Sequence, residues 1–296
     1  MSLQLGIVTP VVQMNPRFEP PPWEEDGTID DVVAIAVEAE RLGYDWVAAS
    51  EHVAVPARAT RIAGPRYWDP LVTLSYVAAR TSRIKLLPHV VILGFHHPLE
   101  VVKQWGTLDV LSGGRVILGL GVGAIKPEFA LLGHPYEGLG ARADDALRAI
   151  RAAWGEREPH YEGTHYRFAD FVVDPAGERR AVDIWVGGRS RRSLRRAAEL
   201  ADGWIPFRLL PEDFAALLAD PEIAALLDGR SSPLEMVLAP EPPLDPLADP
   251  DGAVASMRAL TAVGATGLSL RFHHRSRSHY LEQLAALRDI LPAVTS

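Results

Sequence analysis

Eight times along this chain a short apolar run of strand length is followed by a longer segment whose apolar residues recur at helical spacing, and this alternation limits the fold more than any other feature. Residues 3–8 form the first run. The helix after it carries Ile29, Val32, Val33, Ala36 and Val37 on one face, with Thr28 and Asp31 placed for a capping box and Gly43 as its stop. Residues 45–49 read as the second strand. Asp69 and Pro70 open the next helix as N-cap and first-turn proline, 84–93 is the third run, and Pro98 opens a helix that carries Val101, Val102, Trp105 and Leu108 and ends at Gly113 and Gly114. Residues 115–120 are the fourth strand, followed by a helix over 143–154. The second half repeats the scheme, with strands at 184–186, 203–206, 234–238 and 267–270. Helices are expected over 190–201, from Pro211, from Asp249 and Pro250 to Gly264, and after a Ser278 cap.

Right-handed crossovers put every helix outside a parallel sheet, so eight such units favour a closed (β/α)8 barrel, with an open doubly wound sheet as the rival. The chain has 296 residues, 48% of them hydrophobic, which suffices for one large core, and residues 1–296 are read as a single barrel domain. Two stretches interrupt the repeat. Residues 155–181, between strands four and five, contain HYEGTHYRF and are expected to be a hairpin insertion, and 239–251 is a loop rich in proline and aspartate. The start, MSLQLGIVTPVV, lacks a basic flank, and nowhere do eighteen apolar residues run together, so a soluble cytoplasmic protein is expected, with no membrane partner. No cysteine is present, which excludes disulfides, thiolate metal sites and cysteine nucleophiles. A net charge of -8 argues against general nucleic-acid binding. Within that acidic chain RSRRSLRR gathers Arg189, Arg191, Arg192, Arg195 and Arg196, so a local anion site stays open.

In a barrel the chemistry sits where strands end and the following loops begin. After strand two come Glu51 and His52, an acid beside a histidine whose ordinary pKa suits proton transfer; a surface loop pair is the bland alternative. Pro88 and His89 interrupt the third apolar run, and an imidazole there must find a partner or face a cavity. After strand four Gly119, Gly121 and Gly123 let backbone approach a flat or phosphorylated ligand, although GLGVGA does not match the dinucleotide fingerprint. Gly187, Gly188, Arg189 and Ser190 lie between strand five and a helix, where free backbone N–H groups, a hydroxyl and a guanidinium can converge on one anion. The pairs His96-His97 and His273-His274 show neither metal-ligand spacing nor an adjacent carboxylate cluster, and no metal site is expected.

Taken together, GYDWVAASEH, WDPLVTLSYVAARTSRIKL, HPLEVVKQWGTLDVLSGGRVILGLGVG, the EFALLG after it, and IWVGGRSRRSLRRAAELADGW make the chain resemble the luciferase-like monooxygenase superfamily, in particular its coenzyme F420 (deazaflavin) branch. The resemblance spans nearly the whole chain and thins out after Pro206. It implies a flavin-type ring across the barrel mouth, a phosphate held by Gly187, Gly188, Arg189 and Ser190, and Gly121, Val122 and Gly123 lining the ring or its side chain. It also implies a bulged third strand with a non-proline cis peptide at His89-Val90 behind the ring, and a role at the ring for His52 with Glu51 beside it. Val122 stands where some flavin-using members carry arginine, which tilts the expectation from FMN to F420. Asp109, Ser112 and Arg115 read as structural, fixing the entry to strand four. The reaction implied is hydride transfer between F420 and a small organic substrate; an FMN-dependent monooxygenase using molecular oxygen, a non-catalytic cofactor-binding barrel and a metal-dependent hydrolase are the alternatives. The partners expected are the small-molecule substrate and, at most, a second copy of the chain.

Overall fold

The computed structural model describes residues 3–16, 19–178 and 181–295. Eight parallel strands surround a common interior: β1 (Gln4–Val8), β2 (Trp46–Ala49), β3 (Lys85–Pro88, resumed at Val91–Ile92), β4 (Ile117–Gly121), β5 (Asp183–Gly187), β6 (Gly203–Ile205), β7 (Glu235–Leu238) and β8 (Gly267–Leu270). The third strand closes the ring. Its first half pairs with β2 and its second half with β4, so the two ends of the sheet are two halves of one strand, joined further by a bridge between Leu86 and Val116. The 84–93 run is therefore divided, and the His89–Val90 peptide at the division is cis.

Apart from a single turn at Thr60–Ala63, the α-helices among the described residues are α1 (Ile29–Arg41), α2 (Pro70–Ala78), α3 (Pro98–Ser112), α4 (Lys126–Leu131), α5 (Leu139–Ala153), α6 (Arg191–Leu200), α7 (Pro211–Leu218), α8 (Pro221–Asp228), α9 (Pro250–Ala262) and α10 (Arg277–Thr295). Their starts follow capping chemistry: Thr28 and Asp31 bond reciprocally, and Asp69 and Asp249 accept from Val72 N and Gly252 N. Two expectations are corrected. Ser276 rather than Ser278 caps α10, its Oγ accepting from His279 N, because the helix begins at Arg277, two residues earlier. The segment from Pro211 is two helices, since Asp220 accepts from Glu222 N and Ile223 N and starts α8 afresh. The insertion does form a hairpin, Tyr161–Glu162 against Arg167–Phe168. A second antiparallel pair, Gln13–Met14 against Arg66–Tyr67, joins the loops after β1 and β2 and has no local signal in the sequence.

The barrel interior is filled by Trp46, Ala48, Leu87, Ile117, Trp185, Ile205 and Val237. The rings of Trp46 and Trp185 meet edge-on at 5.1 Å, and their bulk is matched by glycine: a Cβ on Gly6 would lie 2.0 Å from the Trp46 ring. Asp109, Ser112 and Arg115 tie the end of α3 to β4 as expected. Asp109 Oδ1 accepts from Val116 N, and the buried Arg115 guanidinium donates to Ala78 O, Ile84 O and Ser112 O.

Candidate functional site

Inward positions recur every second residue, so the series through Leu87, Ile117, Trp185 and Gly267 continues upward to His89, Gly121, Gly187 and Arg271 at the C-terminal mouth. Two of these four are glycines, and that decides the shape of the mouth. A Cβ on Gly121 would lie 2.4 Å from Val90 Cγ2, and one on Gly187 would lie 2.6 Å from Val90 Cγ1. Val90 therefore fills the room that the two glycines leave, and forms an apolar floor between β4 and β5. Gly123 turns the chain away at φ +81° beneath Phe129, and Val122 packs partly buried against the core. His89 stands beside this floor. Burial, reinforced by the Arg271 charge, lowers its pKa to about 4 against a hydrogen bond to the Ile205 backbone, so it is neutral at pH 7.

Beside the floor, Gly188 at φ +103° leads through the exposed Arg189 to Ser190, the N-cap of α6. Ser190 Oγ accepts from Ser193 N, and Ser193 Oγ accepts in turn from Ser190 N. The amides of Arg191 and Arg192, first in the helix, have no intrahelical acceptor and carry its positive end. The arginine run is less basic than it reads in sequence. Arg191 pairs with Asp220 and Glu222, Arg195 with Glu199 and Glu222, and Arg196 with Asp144. Among the described residues only Arg189, over the Phe207 ring, and Arg192 of the five lack an acidic partner.

Glu51 and His52, adjacent in sequence, find different partners. Glu51 is buried and turns to the third strand, its Oε2 accepting from Ile92 N and its Oε1 paired with His96 Nε2 at 2.7 Å. Burial depresses the His96 imidazole, but its hydrogen bond to Glu51 and the charges of Glu51, Glu100 and Asp69 outweigh that and raise its pKa. His52 Nδ1 instead meets Oε2 of Glu128, from α4, at 2.8 Å, and the His52 ring packs edge-on against Tyr67 at 4.6 Å.

Three further groups stand at the mouth, of which Arg271 and Glu241 had no signal in the sequence. Burial lowers the Arg271 pKa to about 10 despite the charges of Glu241, Tyr280 and Tyr67. Burial raises Glu241 against Arg271 and Arg208, and its Oε1 is buried without a hydrogen-bond partner. Burial likewise raises Tyr67. A cavity of about 50 Å³ beside Arg271, lined in part by Thr9, Gln13, Glu24, His274 and Tyr280, has room for water but not for a ring system. Two other histidines are in structural contacts: His97 Nδ1 accepts from Leu99 N at the start of α3, and His274 lies between Trp23 and Glu24. Among the described residues no three metal-ligating side chains converge, and no helix is long and apolar enough to cross a membrane.

The family profile described as luciferase-like monooxygenase matches residues 4–289. An F420-dependent glucose-6-phosphate dehydrogenase of Segniliparus rotundus is 31% identical over 210 residues, 69% of this chain and 57% of that one. Among solved structures, the coenzyme F420-dependent tetrahydromethanopterin reductase of Methanopyrus kandleri superposes with a TM-score of 0.74 at 16% identity, covering 99% of both chains. The FMN complex of the oxygenating constituent of Pseudomonas putida 3,6-diketocamphane monooxygenase gives 0.75 at 16% identity, covering 99% of this chain and 98% of that one. At such identities the two structures speak for the barrel, whereas the profile covers nearly every residue from β1 to α10: the chain belongs to the luciferase-like monooxygenase family, a family of oxidoreductases.

Proposed function

We propose that this protein transfers hydride between coenzyme F420 and a small organic substrate at the barrel mouth, acting in the cytoplasm as one barrel unit over residues 1–296. The observation that carries the reading is the floor made by Val90 between two glycines, set directly beside the unsatisfied start of α6. A planar ring needs a flat apolar rest, and a phosphate tethered to it needs N–H groups close by; both needs fall on adjacent strands, β4 and β5. The residues therefore fit a deazaflavin. His89, Val90, Gly121, Val122 and Gly123 would border the ring, and Gly187, Gly188, Arg189 and Ser190 would hold the phosphate. Bound there, the deazaflavin supplies two-electron hydride chemistry. The chain supplies the proton: His52, one-fifth exposed at the end of β2, gives it to or takes it from the substrate oxygen. Glu51 serves by pinning the third strand through Ile92 N and His96, which keeps Val90 in place.

The test is titration of the protein with F420 and with FMN, followed by turnover of reduced F420 with a panel of ketones, aldehydes and enones. F420 should bind at least tenfold more tightly than FMN, and His52→Ala should lower turnover by about a hundredfold while leaving cofactor affinity intact. Tight binding of FMN alone, with consumption of oxygen, would replace this reading by a monooxygenase. Tight F420 binding without turnover of any substrate class would leave a cofactor-binding barrel.

A further inference from the structure

Glu128 is fully buried, yet it lies on the short helix α4 after the glycine turn of β4, far in sequence from the residues it contacts. A carboxylate removed from water must be fully hydrogen-bonded or it destabilises the fold. Here Oε1 accepts from Val53 N at 2.7 Å and from Ala54 N at 3.0 Å, and Oε2 faces His52 Nδ1 at 2.8 Å. Two amide donors occupy Oε1, which leaves Oε2 to face the ring, and an imidazole holds a proton more strongly than a carboxylate does. The proton between the two side chains therefore rests on Nδ1, which donates to Oε2. His52 Nε2 is then the acceptor nitrogen, and it is not among the buried side-chain atoms that lack a partner. The two amides come from the residues that directly follow His52, so one carboxylate fixes both the ring and the backbone that carries it.

We infer that Glu128 is the positioning residue of the site, holding His52 as the Nδ1–H tautomer so that Nε2 is the nitrogen that exchanges a proton with the substrate. This rests on the proton-transfer role of His52 proposed above. Glu51, the nearer acid in sequence, cannot serve in this way because one oxygen is engaged by Ile92 N of the third strand and the other by His96 in the turn after it. Glutamine at 128 is the informative change. Its carbonyl oxygen can still accept from the amides of Val53 and Ala54, but its NH₂ then faces Nδ1, which can answer only as an acceptor, and the proton moves to Nε2.

The experiment is long-range ¹H–¹⁵N correlation of the histidine rings in the full-length protein without cofactor, with the His52 signals identified by their loss in His52→Gln. The wild type should show Nδ1–H and Glu128→Gln should show Nε2–H. With F420 and a turned-over substrate, Glu128→Gln should lower kcat by up to about a hundredfold, no further than His52→Ala does, with KM and cofactor affinity little changed, as expected for a base in the wrong tautomer. Glu128→Asp, which keeps the charge on a shorter side chain, should recover part of the loss. Nε2–H in the wild type overturns the inference, and so does a spectrum unchanged by Glu128→Gln; if that variant does not fold, the wild-type spectrum alone decides. The expected spectra with turnover unaffected would leave the positioning intact and refute instead the proton-transfer role of His52.

Discussion

Replacing Gly121 by alanine adds one methyl to the floor of the mouth, and its cost can be worked from the structure. The new Cβ would lie 2.4 Å from Val90 Cγ2, where ordinary contact begins at 3.4 Å, so one of the two groups must move by about 1 Å. Val90 stands on the segment that divides the third strand, and Gly187 closes its other side, with a Cβ there 2.6 Å from Cγ1. The side chain can escape only upward, into the space proposed for the ring. Overpacking of this kind costs about 1–3 kcal/mol of stability. Truncating Val90 to alanine removes both Cγ atoms, and its own Cβ would stand 3.4 Å from the Gly121 methyl, an acceptable contact. Gly121→Ala and Val90→Ala should therefore couple, the double variant being more stable than the sum of the singles by about 1–2 kcal/mol. Denaturant unfolding of the four proteins measures the coupling. Titration with F420 should show at least a tenfold loss for Gly121→Ala that is mostly regained in the double variant. Additivity within about 0.5 kcal/mol would mean that Val90 does not occupy the gap between the glycines, and the floor would have to be abandoned.

Acid should weaken the fold through two histidines held at about 4, His89 and His274. Both stay neutral when folded but take up protons near pH 6.5 once unfolded, so stability is flat above pH 6.5 and falls as pH drops toward 4, by up to about 3 kcal/mol for each. His96, raised by Glu51, acts with the opposite sign: its contribution is complete below pH 6.5 and is lost as pH rises through its folded pKa. Unfolding midpoints at pH 7.5 and 4.5 should therefore draw together in His89→Gln; an undiminished drop would show that His89 is not the group that resists protonation. Arg189→Ala should weaken F420 binding about tenfold to a hundredfold by removing a charge-assisted contact, whereas Arg196→Ala, whose guanidinium is bound to Asp144 and Gly140 O, should lower thermal stability and leave the affinity unchanged. Equal losses of affinity that salt erases would reduce the phosphate site to a diffuse basic surface.

The sequence by itself determined the eight barrel strands, most of the helices between them and their order. Caps such as Asp69, Asp249 and Ser190 act within three residues, and apolar periods act within one helix or strand, so both are complete in local sequence. The count of eight and the placing of Gly187 to Ser190 at a strand end followed from those local rules. Which side chains would meet was decided only by closure of the barrel. Glu128 reaches across 76 positions to His52, and Glu51, adjacent to His52, is carried to His96 across 45. Glu51 and His52 lie in the loop after β2, where adjacency in sequence does not make two side chains meet, while the ends of β2, β3 and β4 are brought together only by the ring of strands. The arginine run shows the same limit. Read along the chain it is five positive charges, but α8 brings Asp220 and Glu222 to Arg191 and Arg195 and α5 brings Asp144 to Arg196, so that the charge left for an anion is set by packing of helices whose order, but not whose contacts, can be read from residues.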